Sequence, residues 1–333
     1  MPMKLLARII VFGLVASSWA YLTGLFTWLG LYLLFGTSRN SLFLFTSLVH
    51  LVFLPVPALL ALAALAHRRS LWVGGGAAVL VWLALFGGLY NLPARTARAA
   101  GATIRAMTYN VEYRNTDVAA VAGTIRAADA DVVGLQEVNP ALAEDLEVVL
   151  AEEYPYQIHD PNVSVTGLSL LSRYPFEVVA APDVFQGVWY GDPQLVEVEH
   201  PAGSVFVINA HFAHGHLEED AGQIVQFVSG QQQPVVVLGD MNATDLADPY
   251  KQLVKGGLRD AWREAGWGYG STFPATSFAR RIRGVPVLVP SRLVRIDHVF
   301  HTAHFTPRAA ERLPWDGRSD HLAVVAELSL SAE

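Results

Sequence analysis

Polar side chains follow several apolar, strand-like segments of this chain closely, and their types are those that carry acid–base and metal chemistry. In the stretch PVVVLGDMNATD, an apolar run ending at Leu238 leads into Gly239, and Asp240 and Asn242 follow on either side of one methionine. Carboxylates and imidazoles transfer protons, and carboxylate and amide oxygens bind hard divalent cations. Further side chains of these types near strand-like ends are Asn110, Glu112, Glu137, His211, Asp297, Asp320 and His321.

Taken one at a time, most of these residues also fit a purely structural role. Gly, Asp and Asn are favoured in turns, so Asp240 and Asn242 could simply end a strand. Asn110 could form a bulge or a cap, and Glu137 could be a solvated strand end. Asp297 is different, since it lies in the apolar segment VRIDHVF, where an unpaired carboxylate is costly. It is therefore expected to pair with an arginine, a histidine or a metal.

The elements that would position these residues begin after residue 103. Segments rich in β-branched or aliphatic residues predict strands over 104–111, 131–138, 168–172, 194–199, 205–212, 235–238, 294–300 and 322–328. Apolar residues at helical spacing predict helices over 118–128, 141–152 and 217–228. Strands outnumber helices, and many are apolar on both faces, which is typical of sheets covered on each side.

Charge separates the chain into two parts. Residues 1–100 contain seven basic residues and no Asp or Glu, whereas residues 101–333 contain 16 basic and all 30 acidic residues. The first part therefore carries a net charge of +7 and the second −14. Three apolar runs, at about 9–36, 41–66 and 71–92, each reach the roughly 20 residues that cross a bilayer. The sequence predicts a membrane domain over 1–94, a linker over 95–103 and a second domain over 104–333.

The flanking charges predict the orientation of these spans. Lys4 and Arg8 precede the first span, and Arg68 and Arg69 separate the second from the third, which places both segments in the cytoplasm by the positive-inside rule. With three crossings, the second domain would lie outside the cytoplasm, anchored in the cell (inner) membrane. Arg95 and Arg98 favour the opposite orientation, although the rule is weaker before a long domain. Because the chain has no cysteine, it has no thiolate metal site.

Seven motifs along the second domain carry a family resemblance. NVEY, LQEV, LLSRYP, INAHF, LGDMNA, RIDHVF and SDHLAV occur in this order between residues 104 and 330. In order and spacing they resemble the endonuclease/exonuclease/phosphatase superfamily, which has the DNase-I-like fold. The resemblance implies an α/β (α+β) fold: a four-layered sandwich of two packed, mostly antiparallel sheets flanked by helices, with the site where loops leave both sheets. The chain would be a membrane-anchored bacterial-type member.

The resemblance also implies an activity, namely hydrolysis of a phosphoester with a divalent cation, Mg²⁺ or alternatively Mn²⁺. Glu137 resembles the main metal carboxylate, with Asn110 beside it and Asp320 as a second ligand. Glu112 is a weaker match, because the family often has Asp there. Neutralising the charge of the phosphate and positioning a water in line are the physical demands of this reaction.

The remaining motif residues take roles at the phosphate. Asp240 resembles the residue that orients or deprotonates the attacking water, and Asn242 would donate to a phosphate oxygen from the same side of the strand. His321 would bind the phosphate and be held by Asp297, which raises the pKa of the histidine. His211 resembles the histidine on the leaving-group side.

The substrate remains open between a nucleic acid and a phospholipid-type ester. The net charge of −14 argues against nucleic acid, since nucleic-acid binders usually carry a basic surface. A local basic stretch could meet lipid headgroups, a nucleic-acid backbone or solvent, and Arg295 is a further candidate for substrate binding; the stretch contains Arg280, Arg281, Arg283, Arg292 and Arg295. A catalytically silent binding or scaffold domain is the alternative function. Apart from the bilayer and the ester substrate, no obligate protein partner is predicted.

Overall fold

The computed structural model describes residues 2–38, 40–90, 102–180, 185–201, 203–282 and 284–330. Contacts divide the chain into two compact units, one of Met1–Gly88 with Leu246–Asp248 and the other of Leu89–Asp245 with Pro249–Glu333. Most of the predicted linker over 95–103 lies outside the described residues, and so does Arg283.

The first unit is helical. Its elements are α1 (Pro2–Phe35), α2 (Asn40–Ser47), α3 (Val49–Val52), α4 (Val56–Leu65) and α5 (Arg69–Phe86), and a 3₁₀ turn follows at Gly87–Leu89. Two stretches, Leu5–Phe35 and Arg69–Leu89, are long and apolar enough to cross a membrane, and they correspond to the first and third predicted spans.

The predicted second span, 41–66, is not one continuous helix in the structure. Its two parts, Ser41–Ser47 and Val49–Leu65, meet at an angle of 64°, so the described residues hold a third span only if this bent pair is counted as one. Pro55 lacks an N–H and disfavours the helical conformation of the residue before it, which accounts for the interruption between α3 and α4. No proline explains the break at Leu48.

The described residues of the second unit form two six-stranded sheets and one separate hairpin. In chain order, the strands are β1 (Thr103–Asn110), β2 (Val132–Gln136), β3 (Tyr156–Asp160), β4 (Leu168–Ser172), β5 (Phe176–Val178), β6 (Gln194–His200), β7 (Gly203–His211), β8 (Val235–Asp240), β9 (Arg259–Asp260), β10 (Phe278–Ile282), β11 (Val285–Val289), β12 (Asp297–His301), β13 (Phe305–Arg312) and β14 (Val324–Leu330). The sheet orders are β13-β14-β1-β2-β4-β3 and β5-β6-β7-β8-β12-β9, and β10 pairs with β11. In the described residues, each large sheet has one parallel pair, β1 with β2 and β7 with β8.

Helices cover the outer faces of the two sheets. These helices are α6 (Val118–Ala128), α7 (Pro140–Val149) and α8 (Leu217–Ser229); α9 (Asp248–Lys255) is a further helix, and α10 (Ala261–Ala265) contacts strands of both sheets. Ile125 of α6 and Leu146 of α7 share a buried cluster with Met107 of β1. On the other sheet, Phe227 of α8 packs its ring 5.8 Å from that of Phe206.

The inner faces of the sheets are joined by a buried amide. Asn209 of β7 donates from Nδ2 to the carbonyls of Leu135 at 3.1 Å and Ser169 at 3.0 Å, both in the other sheet. Helix, sheet, sheet and helix therefore follow one another, which confirms the predicted four-layered α/β sandwich.

The strand ends that matter for function gather at one edge of the sandwich. Because β1 runs parallel to β2, and β7 to β8, their carboxyl ends meet there, and β12 begins there because it is antiparallel to β8. Gly239 is needed at this edge, since a Cβ on it would lie 2.1 Å from the carbonyl oxygen of Ala210. The apolar strand β8 thus packs closely on β7, and Asp240 at its end lies beside His211.

Candidate active site

Asp240 is the last residue of β8, is 1% exposed and lies at the centre of the candidate site. Its Oδ1 accepts the N–H of Asn242 at 2.9 Å, and its Oδ2 accepts Nδ2 of Asn110 at 3.1 Å. Nε2 of His211 lies 3.5 Å from the same Oδ2. Burial, and after it the charge of Asp297, raises the pKa of Asp240 to about 6. This carboxylate can therefore take up a proton near neutral pH.

Glu137 follows β2 directly and brings a second carboxylate to the same edge. Its φ of 60° lies in the left-handed region, which costs a non-glycine residue about 1–2 kcal/mol. Oε1 accepts Nδ2 of Asn110 at 3.1 Å, and Oε2 accepts the N–H of Tyr113 at 3.2 Å. Burial raises the pKa of Glu137. Asn110 thus links the two carboxylates through the two hydrogens of one amide nitrogen.

His321 and Asp297 form a buried pair at the start of β12. Nδ1 of His321 lies 3.1 Å from Oδ1 and 3.0 Å from Oδ2 of Asp297, and Asp297 is fully buried. Although burial works against the charged imidazole, the carboxylates of Asp297, Asp240 and Asp320 raise the pKa of His321 to about 10. Its Nε2 is 3.8 Å from Asp240 and 3.9 Å from Asp320, which is too long for hydrogen bonds. The imidazolium therefore directs an N–H donor between two carboxylates.

His211, unlike the doubly protonated His321, carries a proton on one ring nitrogen, Nδ1. Nδ1 lies 3.1 Å from the carbonyl oxygen of Val165, which can only accept, so Nδ1 holds the hydrogen and Nε2 the lone pair. Burial lowers the pKa of His211 to about 4. At neutral pH this histidine is uncharged and has no Nε2 proton to give. Its predicted position on the leaving-group side stays a prediction, and this tautomer opposes a role as acid there.

The backbone position of Asn242 differs from the one that strand alternation predicts. The strand ends at Asp240, and Asn242 follows with a φ of 47°, outside the sheet. Its Nδ2 donates to the carbonyl oxygen of Phe212 at 2.9 Å and lies 3.3 Å from Nε2 of His211. Both amide hydrogens are thus directed at protein acceptors. Asn242 holds His211 in place, while donation to a phosphate remains a prediction.

Arg295 does not fit its predicted role in substrate binding. Its side chain is 1% exposed, and Nη2 lies 2.6 Å from Oδ2 of Asp245 and 2.7 Å from Oδ2 of Asp260. A guanidinium buried between two carboxylates is not available to a substrate. This pairing could not be predicted from local sequence, because neither aspartate is near Arg295 along the chain.

The predicted metal ligands fit a hard divalent cation only in part. Glu137 and Asp320 offer carboxylate oxygens, and the side chain of Asp320 is 50% exposed. Asn110 presents its nitrogen to Glu137, while its oxygen accepts the N–H of Glu112 at 3.0 Å. It therefore orients the carboxylates rather than binding the cation in this arrangement. One or two carboxylates with water molecules suffice for Mg²⁺, so Glu137 and Asp320 are of the ligand type that such an ion takes.

Another group of possible ligands is better explained by the hydrogen bond of His321 to Asp297, with the carboxylate of Asp240 nearby. The ligand atoms of Asp240, Asp297 and His321 lie within 4.8 Å of one another, which matches the spacing of a metal site. However, His321 is held as an imidazolium, and an imidazolium has no lone pair for a metal. These three residues are therefore suited to moving and holding protons.

Ser319, which sequence reasoning did not single out, completes the site together with Thr272 and Phe273. Ser319 donates from Oγ to the carbonyl oxygen of Asn110 at 2.7 Å and accepts the N–H of His321 at 2.9 Å, so it joins two strands of the site. Thr272 is fully buried, and its Oγ1 lies 3.4 Å from the N–H of Asp297. Phe273, the next residue in the chain, packs its ring 4.8 Å from that of His321. The position of Ser319 directly before the Asp320-His321 pair was the available signal.

Comparison with solved structures finds proteins of similar fold. A protein of the endonuclease/exonuclease/phosphatase group from Bacteroides vulgatus is 22% identical with a TM-score of 0.53, over 69% of this chain and 100% of that one. The human Nocturnin catalytic domain with bound sulfate is 17% identical, with a TM-score of 0.52 over 69% and 95%. A mannosyl-6-phosphatase of Bacteroides thetaiotaomicron is 16% identical, with a TM-score of 0.50 over 68% and 100%.

Comparison by sequence gives the family. No curated protein matches the chain. The sequence profile of the Endonuclease/Exonuclease/phosphatase family matches residues 107–321, which include every residue of the site described above. The chain belongs to the Endonuclease/Exonuclease/phosphatase family.

Proposed function

We propose that this protein is a membrane-anchored, divalent-metal-dependent phosphodiesterase that hydrolyses its substrate by in-line attack of an activated water. Family membership supports hydrolysis of a phosphoester in general. The observation that carries the finer proposal is the convergence of Asp240, Glu137 and the His321–Asp297 pair at one edge of the sandwich, with Asn110 linking two of the carboxylates.

Asp240 is the group that activates the water. With a pKa raised to about 6, it is mainly ionised at neutral pH and still basic enough to accept a proton. Asn110 and the backbone N–H of Asn242 each donate to one of its oxygens, so its orientation is fixed before the substrate arrives. Fixed orientation lowers the entropic cost of placing the water in line with the phosphorus.

His321 is the group that holds the phosphate. Its Nε2–H is not bonded to Asp240 or Asp320, and the pKa of about 10 keeps it charged over the physiological range. A charged donor aimed at a phosphoryl oxygen stabilises the charge that develops there. Asp297 keeps the ring in the orientation that directs Nε2 into the site, and His211, held by Asn242 and Val165, bounds the other side of Asp240.

Mg²⁺ is the proposed cation, with Mn²⁺ as an alternative. Glu137 and Asp320 would hold it, and it would supply Lewis-acid neutralisation of the phosphate. The negative charge of the site supports a bound cation. One imidazolium faces four carboxylates, those of Glu137, Asp240, Asp297 and Asp320. A site with this excess of carboxylates favours a cation.

The test uses the full chain in nanodiscs with Mg²⁺, with Mn²⁺ or with EDTA. We expect hydrolysis of bis-p-nitrophenyl phosphate that EDTA abolishes and Mg²⁺ restores. Plasmid DNA and a panel of phospholipids then identify the type of diester, and p-nitrophenyl phosphate tests for monoester action, because one structural neighbour is named as a phosphatase. His321→Ala should abolish turnover, whereas His304→Ala, at an exposed position outside the site, should not. Hydrolysis that persists in EDTA or in His321→Ala contradicts the proposal.

We further propose that the second unit lies outside the cytoplasm, in line with Lys4, Arg8, Arg68 and Arg69 on the cytoplasmic side. A reporter enzyme that is active only in the periplasm, fused after Glu333, should be active in cells. Activity of a cytoplasm-specific reporter at the same position would instead show that the second unit lies in the cytoplasm. That result would leave the proposed chemistry unaffected.

A further inference from the structure

The β10–β11 hairpin is a two-stranded sheet separate from both large sheets, and its apolar side chains are exposed. Phe278 pairs with Val289, and Ile282 pairs with Val285 next to the turn. The exposed fractions are 40% for Phe278, 60% for Val285, 37% for Val287 and 70% for Leu288. A two-stranded hairpin is marginally stable by itself in water, and clustered exposed apolar side chains mark a surface that another phase or molecule covers.

Positive charge accompanies these apolar residues. Residues 278–292, which hold the hairpin, contain four arginines and no Asp or Glu, within a part of the chain whose net charge is −14. Arg280 and Arg281 lie on β10 itself and are exposed. The hairpin is therefore a basic and apolar projection from an acidic domain, which is the composition of elements that bind anionic lipid surfaces.

The distribution over the two faces favours lipid over a protein partner. Because successive residues of a strand point to opposite faces, Arg280 and Arg281 place positive charge on both sides of the hairpin. Val287 and Leu288 place apolar side chains on both sides in the same way. A protein partner typically covers one face or pairs with one edge, whereas the headgroup region of a bilayer surrounds an inserted element. Arginine suits the headgroup region, since its aliphatic chain packs on apolar atoms while its guanidinium binds phosphates.

The chain itself provides access to a bilayer. Two of its helical stretches are long and apolar enough to cross a membrane. An element tethered in this way meets the bilayer at high effective concentration, so modest binding energy is sufficient for docking.

We propose that the β10–β11 hairpin docks into the headgroup region of an anionic bilayer. Its base continues into the site, because the N–H of Phe273 donates to the carbonyl oxygen of Val294 at 3.0 Å and the ring of Phe273 packs on His321. Docking would thus bring lipid phosphates to the substrate side of the site. The docking does not depend on hydrolysis, so it is tested separately from the proposed activity.

The absence of cysteine from the chain makes the test specific. Val285→Cys and Val148→Cys introduce one thiol each at exposed valines, the first in the hairpin and the second on α7. Each full-length variant is labelled with the environment-sensitive dye NBD and placed in nanodiscs of phosphatidylcholine, with or without phosphatidylglycerol. We expect a blue-shifted emission and strong quenching by lipids brominated near the headgroup at position 285, only with phosphatidylglycerol, and neither change at position 148.

A charge variant provides the second measurement. Arg280→Gln with Arg281→Gln, added to Val285→Cys, should remove the blue shift and the quenching while the circular dichroism spectrum is retained. If the dye at position 285 behaves like the dye at position 148, or if phosphatidylcholine alone gives the same signal, the hairpin does not dock on anionic lipid. Docking that survives the loss of both arginines would equally overturn the proposal.

Discussion

Two clusters of buried charge lie in the second unit, and they are built in opposite ways. Around Arg295, unlike charges alternate: the guanidinium lies 2.6 Å from Asp245 and 2.7 Å from Asp260. Although burial opposes both charges, the pKa of Asp260 is lowered and that of Arg295 is raised, since each ion stabilises the other. At the candidate active site, Asp240 instead pairs in register with another aspartate, Asp297, and its pKa is raised.

This difference in charge pairing indicates that the Arg295 cluster stabilises the fold and that the groups of the candidate active site are able to react. The Arg295 cluster has its counter-ions within the protein. The lowered pKa of Asp260 and the raised pKa of Arg295 both favour the charged forms. The site holds more carboxylates than cations, so protonation or an incoming cation changes its energy strongly. Removing one member of the first cluster should therefore damage folding, and removing one member of the second should damage catalysis.

The largest expected effect is on catalysis, in Asp240→Asn. The amide keeps the shape of the side chain but cannot accept a proton from water, so kcat/KM should fall about 10²–10⁴-fold. The free energy of unfolding should be unchanged or slightly higher, because the repulsion with Asp297 is removed. Hydrolysis of bis-p-nitrophenyl phosphate and thermal unfolding measure the two quantities. Asp145→Asn, on the exposed face of α7, is the matched control, and equal activity of the two variants would exclude Asp240 as the base.

The next effect is on stability, in Arg295→Leu. Asp245 and Asp260 would remain buried without their counter-ion, which typically costs about 3–5 kcal/mol. Hydrogen exchange of peptides from β8 and β12 measures this loss in the full chain. Arg126→Leu removes a surface ion pair with Glu153 and should cost at most about 1 kcal/mol. If both variants exchange alike, the Arg295 cluster is not a stabilising one.

The same contrast explains what the sequence could predict. The ends of β1, β2, β7 and β8 were predictable, because mainly apolar or aromatic residues lead into a polar one at the end of each strand. Six other strands were missed: β3, β5, β9, β10, β11 and β13. In β13, for example, Pro307 lies beside a register shift, and half of the residues are polar. The short helices α9 and α10 were missed as well.

Within the site, residue types were predictable and orientations were not. The left-handed backbone of Glu137 and Asn242 decides where their side chains point, and neither residue type requires it. The predicted strand over 294–300 begins only at Asp297, so Arg295 leaves the sheet and turns inward to partners distant in sequence. The pairing of His321 with Asp297 came from the family resemblance and from the cost of a buried carboxylate. Local patterns along the chain contain no information on such contacts.

The smallest expected effect, and the most specific, is a shift of the pH profile in Asp297→Asn. In the wild type, kcat/KM should rise with pH as Asp240 loses its proton near pH 6, or lower with a cation bound, and fall as His321 loses its proton near pH 10. Asp297 raises the pKa of both groups. Replacing its charge by an amide should therefore move both limbs of the profile to lower pH.

The direction of these shifts separates an electrostatic role of Asp297 from a structural one. If Asp297 only positions the ring of His321, then Asp297→Asn lowers kcat/KM equally at every pH and both limbs stay in place. If its charge sets the two pKa values, the optimum moves toward acid, and activity measured on the acid side of the optimum falls least. Profiles of kcat/KM for bis-p-nitrophenyl phosphate, with Asp145→Asn as the control, distinguish the two. If the Asp240–His321 site depends on its excess of carboxylates, the pH optimum of Asp297→Asn must move toward acid. The Arg295 cluster, whose opposite charges are paired, should not depend on an excess of carboxylates in this way.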